Sequence, residues 1–199
     1  MSTQLAAPKP STRRQFLSGG VALSATGLAL LGGSPLRALA APHSSAQAGS
    51  DLAILNVALT LEHEGISAYQ IGAESGLLKG AVLDTAVLFK SHHEGHREVL
   101  VKAIRSMGGT PVEPESMAHY KKSKKLNIAS IRTAADVLRL ARRLELGAIH
   151  AYVGVIPSFD DRGLAQAASV LIADETMHYT ALTQALGEPL PRQSMSFGS

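Results

Sequence analysis

The stretch KSHHEGHREVL, Lys90 to Leu100, places three histidines and two glutamates within eleven residues. Imidazole and carboxylate are the ligands that hold divalent metals, and residues three apart on a helix lie on one face, a turn apart. His93 and His96 have that spacing, and so do Glu175 and His178 in DETMH. Cysteine is absent, so disulfides and thiolate sites are excluded and any metal is held through oxygen and nitrogen.

Walking each apolar stripe in steps of three and four shows which of these side chains face a core. One stripe reads Leu55, Leu59, Glu62, Ile66, Tyr69, and another reads Leu138, Ala141, Glu145, Ala148, Tyr152. A third gives Leu164, Ala168, Leu171, Glu175, His178, Leu182. The fourth, Val82, Ala86, Phe89, His93, His96, Leu100, sends His93 and His96 inward and leaves His92, Glu94 and Glu98 off the stripe. An ionised glutamate at a core position costs several kcal/mol unless it is paired, hydrogen-bonded or bound to metal. A polar core without metal stays open on these grounds. So does a role for Glu94, which a π-bulge in its helix would turn inward. Tyr69 and Tyr152 follow the two inward glutamates as redox-active groups, hydrogen-bond partners or plain core tyrosines. His63, Glu64, His92 and His150 fall off the stripes and read as surface groups or outer partners of the site.

The halves of the chain resemble each other. LEHEGISAY, Leu61 to Tyr69, matches LELGAIHAY, Leu144 to Tyr152, at Leu, Glu, Ile, Ala and Tyr. HHEGHREVL aligns with DETMHYTAL, pairing His93 with Glu175 and His96 with His178. A two-fold repeat of helical hairpins would bring both half-sites to the centre, a geometry suited to two metal ions.

The elements that must do this are four helices, at about Asp51 to Ser75, Ala81 to Met107, Thr133 to Ile156 and Arg162 to Leu186. Ser50 or Asp51 is the expected N-cap of the first, and Thr133 that of the third. Gly108-Gly109-Thr110-Pro111 ends the second, Pro157 the third, and Gly187 with Pro189 follows the fourth. No segment alternates like a strand, so the fold class is all-α. Short linkers join the first pair and the second pair, while Gly108 to Arg132 is long enough to cross the bundle. YKKSKK, Tyr120 to Lys125, reads as a solvated part of that crossover.

The start of the chain is of another kind. Arg13 and Arg14 precede an uncharged stretch from Phe16 to Gly33, and ALAAP offers small residues at Ala38 and Ala40 for cleavage. Residues 1–40 are therefore read as a twin-arginine export signal, 41–50 as a flexible leader, 51–190 as the bundle and 191–199 as a tail. The signal implies the twin-arginine export machinery as partner and a periplasmic or otherwise exported location. Lys9, Arg13, Arg14 and Arg37 are four of the 19 basic residues, so the mature chain keeps 15 against 16 acids, a formal −1. The whole-chain pI of 9.3 thus gives no support to nucleic-acid binding.

From about Asp51 to Leu190 the chain resembles the ferritin-like superfamily of ferritins, bacterioferritins, rubrerythrins and manganese catalases. More narrowly it resembles exported bacterial ferritin-like proteins with twin-arginine signals. The resemblance implies a four-helix bundle of two antiparallel hairpins joined by a long crossover. It implies a di-iron or di-manganese centre built from one Glu on each of two helices and Glu-x-x-His on each of the others. Carried onto this chain, the metal residues are Glu62, His93, His96, Glu145, Glu175 and His178. The departure is His93, which stands where the usual set has glutamate. Three carboxylates and three imidazoles favour highly charged oxidised ions less and admit one ion, an asymmetric pair, zinc or copper. The expected function is metal-dependent oxidoreduction of Fe(II), O₂ or peroxide with one or two Fe or Mn ions. The alternative is a non-catalytic exported bundle with a structural, metal-storage or stress-related role; assembly into a homo-oligomer stays open.

Overall fold

The structure, a computed structural model, describes residues 45–197; the expected export signal lies outside them. Two helical hairpins make the bundle. Helix α1 (Ser45–Glu74) pairs with α2 (Gly80–Ser106), and α4 (Ala134–Val155) with α5 (Arg162–Ala185). A short α3 (Met117–Lys122) and a 3₁₀ turn (Ile128–Ser130) sit in the crossover between them. Among the described residues there is no strand, and the all-α, ferritin-like connectivity expected from the linker lengths is the one found.

Local signals explain the boundaries. Thr133 and Asp136 form a reciprocal capping box at the start of α4. The Asp161 side chain accepts the Gly163 and Leu164 N–H groups at the start of α5. Gly108 ends α2 with φ +77, and the Gly108 and Gly109 N–H groups bond back to the Arg105 and Ile104 carbonyls. Gly187 closes α5 in the same way, with bonds from Gly187 and Glu188 to Gln184 and Thr183.

Helix α1 departs from expectation, beginning at Ser45 and taking in residues assigned to the leader. Asp51 is consequently not its N-cap. Its buried carboxylate accepts the N–H groups of Asp160 and Asp161, 3.1 Å away in each case, and ties α1 to the turn between α4 and α5. The crossover is anchored as well. Tyr120 and Leu126 are buried against Ala68, Ile71 and Leu140, while the lysines around them stay at the surface. His63, expected off the core, is buried, its Nε2 lying 3.1 Å from the Val112 carbonyl at the start of that crossover.

Two apolar clusters fill the bundle along its length. One contains Leu55, Leu59, Leu100, Ile104, Tyr152, Leu164 and Leu171. The other contains Tyr69, Leu78, Phe89, Val137, Leu138 and Leu182. On every one of the four long helices the inward polar residues fall between the two clusters, so a polar layer is sealed by apolar packing above and below.

Candidate metal centre

Each hairpin contributes three residues to this layer: Glu62, His93 and His96 from α1 and α2, and Glu145, Glu175 and His178 from α4 and α5. All six are buried, with Glu175 and His178 fully so. The structure brings together all six residues that helical phase points inward. It leaves Glu94 outside: α2 is regular α-helix through this region, and Glu94 pairs with Lys90 at 3.2 Å on the outer face. Glu64 pairs outward with Lys125 at 2.8 Å, and His150 is exposed.

The donor atoms form two groups of four within 4.8 Å of one another: Glu62, His93, His96 and Glu175, and His93, Glu145, Glu175 and His178. In the first, Nδ1 of His93 lies 2.8 Å from Glu62 Oε2 and 3.7 Å from Glu175 Oε1. Nδ1 of His96 lies 3.5 Å and 3.1 Å from the same two oxygens. In the second, Nε2 of His93 is 3.3 Å from Glu145 Oε1, and Nδ1 of His178 is 3.6 Å from Glu145 Oε2 and 3.7 Å from Glu175 Oε2. A tetrahedral ion with bonds of about 2.1 Å spaces its ligands by about 3.4 Å. Both groups fall around that value.

Hydrogen bonds hold the set from outside. Tyr69 of α1 donates to Glu145 of α4, and Tyr152 of α4 donates to Glu62 of α1 at 2.8 Å, a reciprocal exchange across the bundle. Nε2 of His96 donates to Asp174 Oδ2 at 3.2 Å, and Nε2 of His178 lies 2.9 Å from Nδ1 of His92. These two imidazoles are thus gripped by the nitrogen pointing away and leave Nδ1 facing the centre, the arrangement that fixes tautomer and ring orientation in metal-binding histidines. Asp174 escaped the stripe reading because it is half-exposed at the flank. The internal repeat contained the clue, since Asp174 aligns with His92, one residue before the inward pair in each half.

The centre has a test of fit. His96 Nδ1, Glu145 Oε2, both oxygens of Glu175 and His178 Nδ1 are buried yet make no hydrogen bond. Buried polar atoms without partners are rare in folded proteins and ask for an explanation. These five all belong to the two groups of four and face their centres. A cation between them would satisfy all five together, and carboxylate with imidazole suits Fe, Mn or Zn.

The charges are set by mutual pairing. Burial raises Glu62, but its hydrogen bond with His93 and the nearby His96 imidazole outweigh it and hold the carboxyl below its ordinary range. Burial likewise raises Glu145, and Glu175, His178 and His93 together bring it well down. Burial lowers the three histidines, yet the carboxylates prevail: His93 is raised well above its usual value, His96 to about 10, and His178 upward. His92 goes the other way, lowered by partial burial and by its histidine neighbours. Tyr69 and Tyr152 are pushed well up by burial and by the carboxylates they bond, so both remain protonated donors.

A family model described as a ferritin-like domain matches residues 50–188. No curated protein matches. Among solved structures, a conserved hypothetical protein of Mycobacterium tuberculosis superposes with a TM-score of 0.62 at 23% identity, covering 74% of this chain and 98% of its own. A structure described as ferritin-like, diiron-carboxylate proteins from Bacillus anthracis gives 0.56 at 23% identity, over 72% and 99% of the two chains. Dps from Thermosynechococcus elongatus gives 0.54 at 17% identity, over 76% and 100%. At these identities the similarity speaks for the fold.

Proposed function

The chain belongs to the ferritin-like domain family, and from that footing we propose that it is an exported metal-dependent oxidoreductase acting on Fe(II), O₂ or peroxide. One or two Fe or Mn ions are held by Glu62, His93, His96, Glu145, Glu175 and His178. The observation that carries the reading is the set of five buried, unpartnered donor atoms converging in two groups of four. Bound there, iron or manganese would supply one-electron redox chemistry and a Lewis acid.

The protein's own residues supply the rest. Glu62 and Glu145 bring negative charge that Tyr152 and Tyr69 keep oriented. The apolar clusters on either side exclude water, which strengthens every electrostatic interaction in the layer. A mostly apolar cavity of about 200 Å³ has Tyr69 on its wall, whose hydroxyl donates to Glu145. Such a cavity suits a small apolar oxidant such as O₂ better than a charged substrate. Passage through the twin-arginine machinery as a folded protein fits a centre filled before export.

Elemental analysis of protein purified from its native compartment tests the reading, followed by Fe(II) oxidation with O₂ or peroxide. One or two ions per chain and oxidation lost in Glu145→Ala are expected. Metal-free protein that also refuses Fe, Mn and Zn would overturn it. A second reading draws on one observation: His93 already bonds Glu62 at 2.8 Å and Glu145 at 3.3 Å, so the layer is partly self-neutralised without metal. A structural bundle then predicts unchanged metal content when Glu145 or His178 becomes alanine.

A further inference from the structure

The geometry points to His93 as a bridge between two metal ions, Nδ1 ligating one and Nε2 the other, at the position where the usual ligand set has glutamate. This rests on the metal-binding reading above and adds to it a role for one ring.

Only His93 and Glu175 belong to both groups of four. They divide their atoms between the groups in the same manner. Glu175 turns Oε1 toward His96 at 3.1 Å and Oε2 toward His178 at 3.7 Å. His93 turns Nδ1 toward Glu62 at 2.8 Å and Nε2 toward Glu145 at 3.3 Å. An imidazole bridged at both nitrogens is an N–C–N link, three atoms long like the O–C–O of a carboxylate. Its in-plane lone pairs diverge, so it holds two ions farther apart than a carboxylate acting alone. In the metal-free fold His93 donates from both nitrogens, to Glu62 and to Glu145, so it gives one proton to solvent as each nitrogen takes an ion. Each ion then has one nitrogen of His93, one oxygen of Glu175, its own glutamate and its own terminal histidine.

The protein builds a seat for this ring in one orientation. A Cβ on Gly65 would come within 3.3 Å of Nδ1 and 3.4 Å of Cε1 of His93, so glycine lets α1 approach the ring face. The aligned position in the other hairpin is Ala148, in the half whose inward pair begins with Glu175 rather than a histidine. Tyr69 flanks the ring with its centroid 5.4 Å away. His93 itself is only 4% exposed, which leaves it little freedom to flip. Imidazole suits the borderline ions Cu(II) and Zn(II) as well as iron, so copper is a usable probe.

The experiment titrates metal-free full-length protein with Cu(II) and records electron paramagnetic resonance at liquid-helium temperature after one and two equivalents. The bridge predicts a full signal at one equivalent. At two equivalents the integrated intensity falls several-fold through antiferromagnetic pairing, and a half-field transition appears as temperature rises. In His93→Ala the pairing is lost; in His93→Gln, which retains volume and polarity but not two opposed nitrogens, it is lost as well. Two bound ions whose signals simply add in the wild type overturn the bridge, as does pairing that survives both substitutions. A single bound ion with no second site also overturns it while leaving the metal-binding reading intact. Protein that binds no Cu(II), Fe, Mn or Zn removes both.

Discussion

Nε2 of His96 on α2 donates to the carboxylate of Asp174 on α5, whereas Nε2 of His178 on α5 meets Nδ1 of His92 on α2. The two contacts occupy equivalent places in the repeat, with Asp174 and His92 each one residue before the inward pair. A carboxylate behind an imidazole makes it more basic and supports the charge it gains on binding a cation. A histidine held toward its neutral form by burial and by neighbouring histidines does less. The halves therefore share a ligand geometry and differ in the group that braces the terminal histidine. On the proposed metal-binding reading, the group behind each terminal histidine would tune the affinity of its half. The half containing Glu62 and His96 should fill first.

The largest effect tests what the halves share. Glu175 serves both groups, so Glu175→Ala should abolish binding of both ions, while Glu62→Gln and Glu145→Gln should each lose one. Metal content by elemental analysis distinguishes these outcomes. Loss of two ions in all three variants would dissolve the division into halves.

A smaller effect probes the difference. Asp174→Asn should weaken the first ion by about 10- to 100-fold, the range seen when such partners are removed. His92→Asn should act on the second ion, and more weakly. His92→Asp would equalise the halves and bring the two dissociation constants together, read by competition with a chromophoric chelator. Equal responses to Asp174→Asn and His92→Asn would break the comparison.

Acidity supplies a third handle. His93, His96 and His178 are raised from 6.5 in the metal-free fold, so their stabilising contribution is complete below 6.5 and is lost as pH rises through the folded values, to about 10 for His96. Glu62 and Glu145 are lowered from 4.5, so their contribution is present above that value and lost as pH falls through the folded ones. Metal must displace the histidine protons. Metal affinity should therefore go on rising well beyond pH 6.5 while metal-free stability declines. Denaturation midpoints across pH, with and without Mn(II), check both slopes.

The smallest effect contrasts two helix glycines. Gly147→Ala meets open space and should stabilise the fold by about 0.5–1 kcal/mol through helix propensity. Gly65→Ala gains the same propensity but crowds His93, so it should stabilise less and disturb metal binding. Chemical denaturation compared with metal titration of the two variants separates the terms.

Much of this was legible in the sequence for a simple reason: helical phase is a property of one helix at a time. It placed Leu171, Glu175 and Leu182 on the buried face, and it put His93 inside and Glu94 outside. Thr133 and Gly108 carried their cap signals locally. Contacts between helices were not legible in that way. Which tyrosine meets which glutamate depends on the axial register of α1 against α4, which periodicity does not contain. Asp51 resembled an N-cap because it opens an apolar stripe, yet the helix runs on past it and the carboxylate serves a distant turn. His63 was off-phase for the bundle core and became buried only because the crossover lies over it.

The most direct test is anomalous diffraction from crystals of the protein loaded with Mn(II) or Zn(II), collected at the absorption edge of the metal. Two peaks are expected in the polar layer, one beside Glu62 and His96 and one beside Glu145 and His178, with His93 and Glu175 between them. Peaks confined to surface carboxylates, with the six buried residues bonding only one another, would contradict the account.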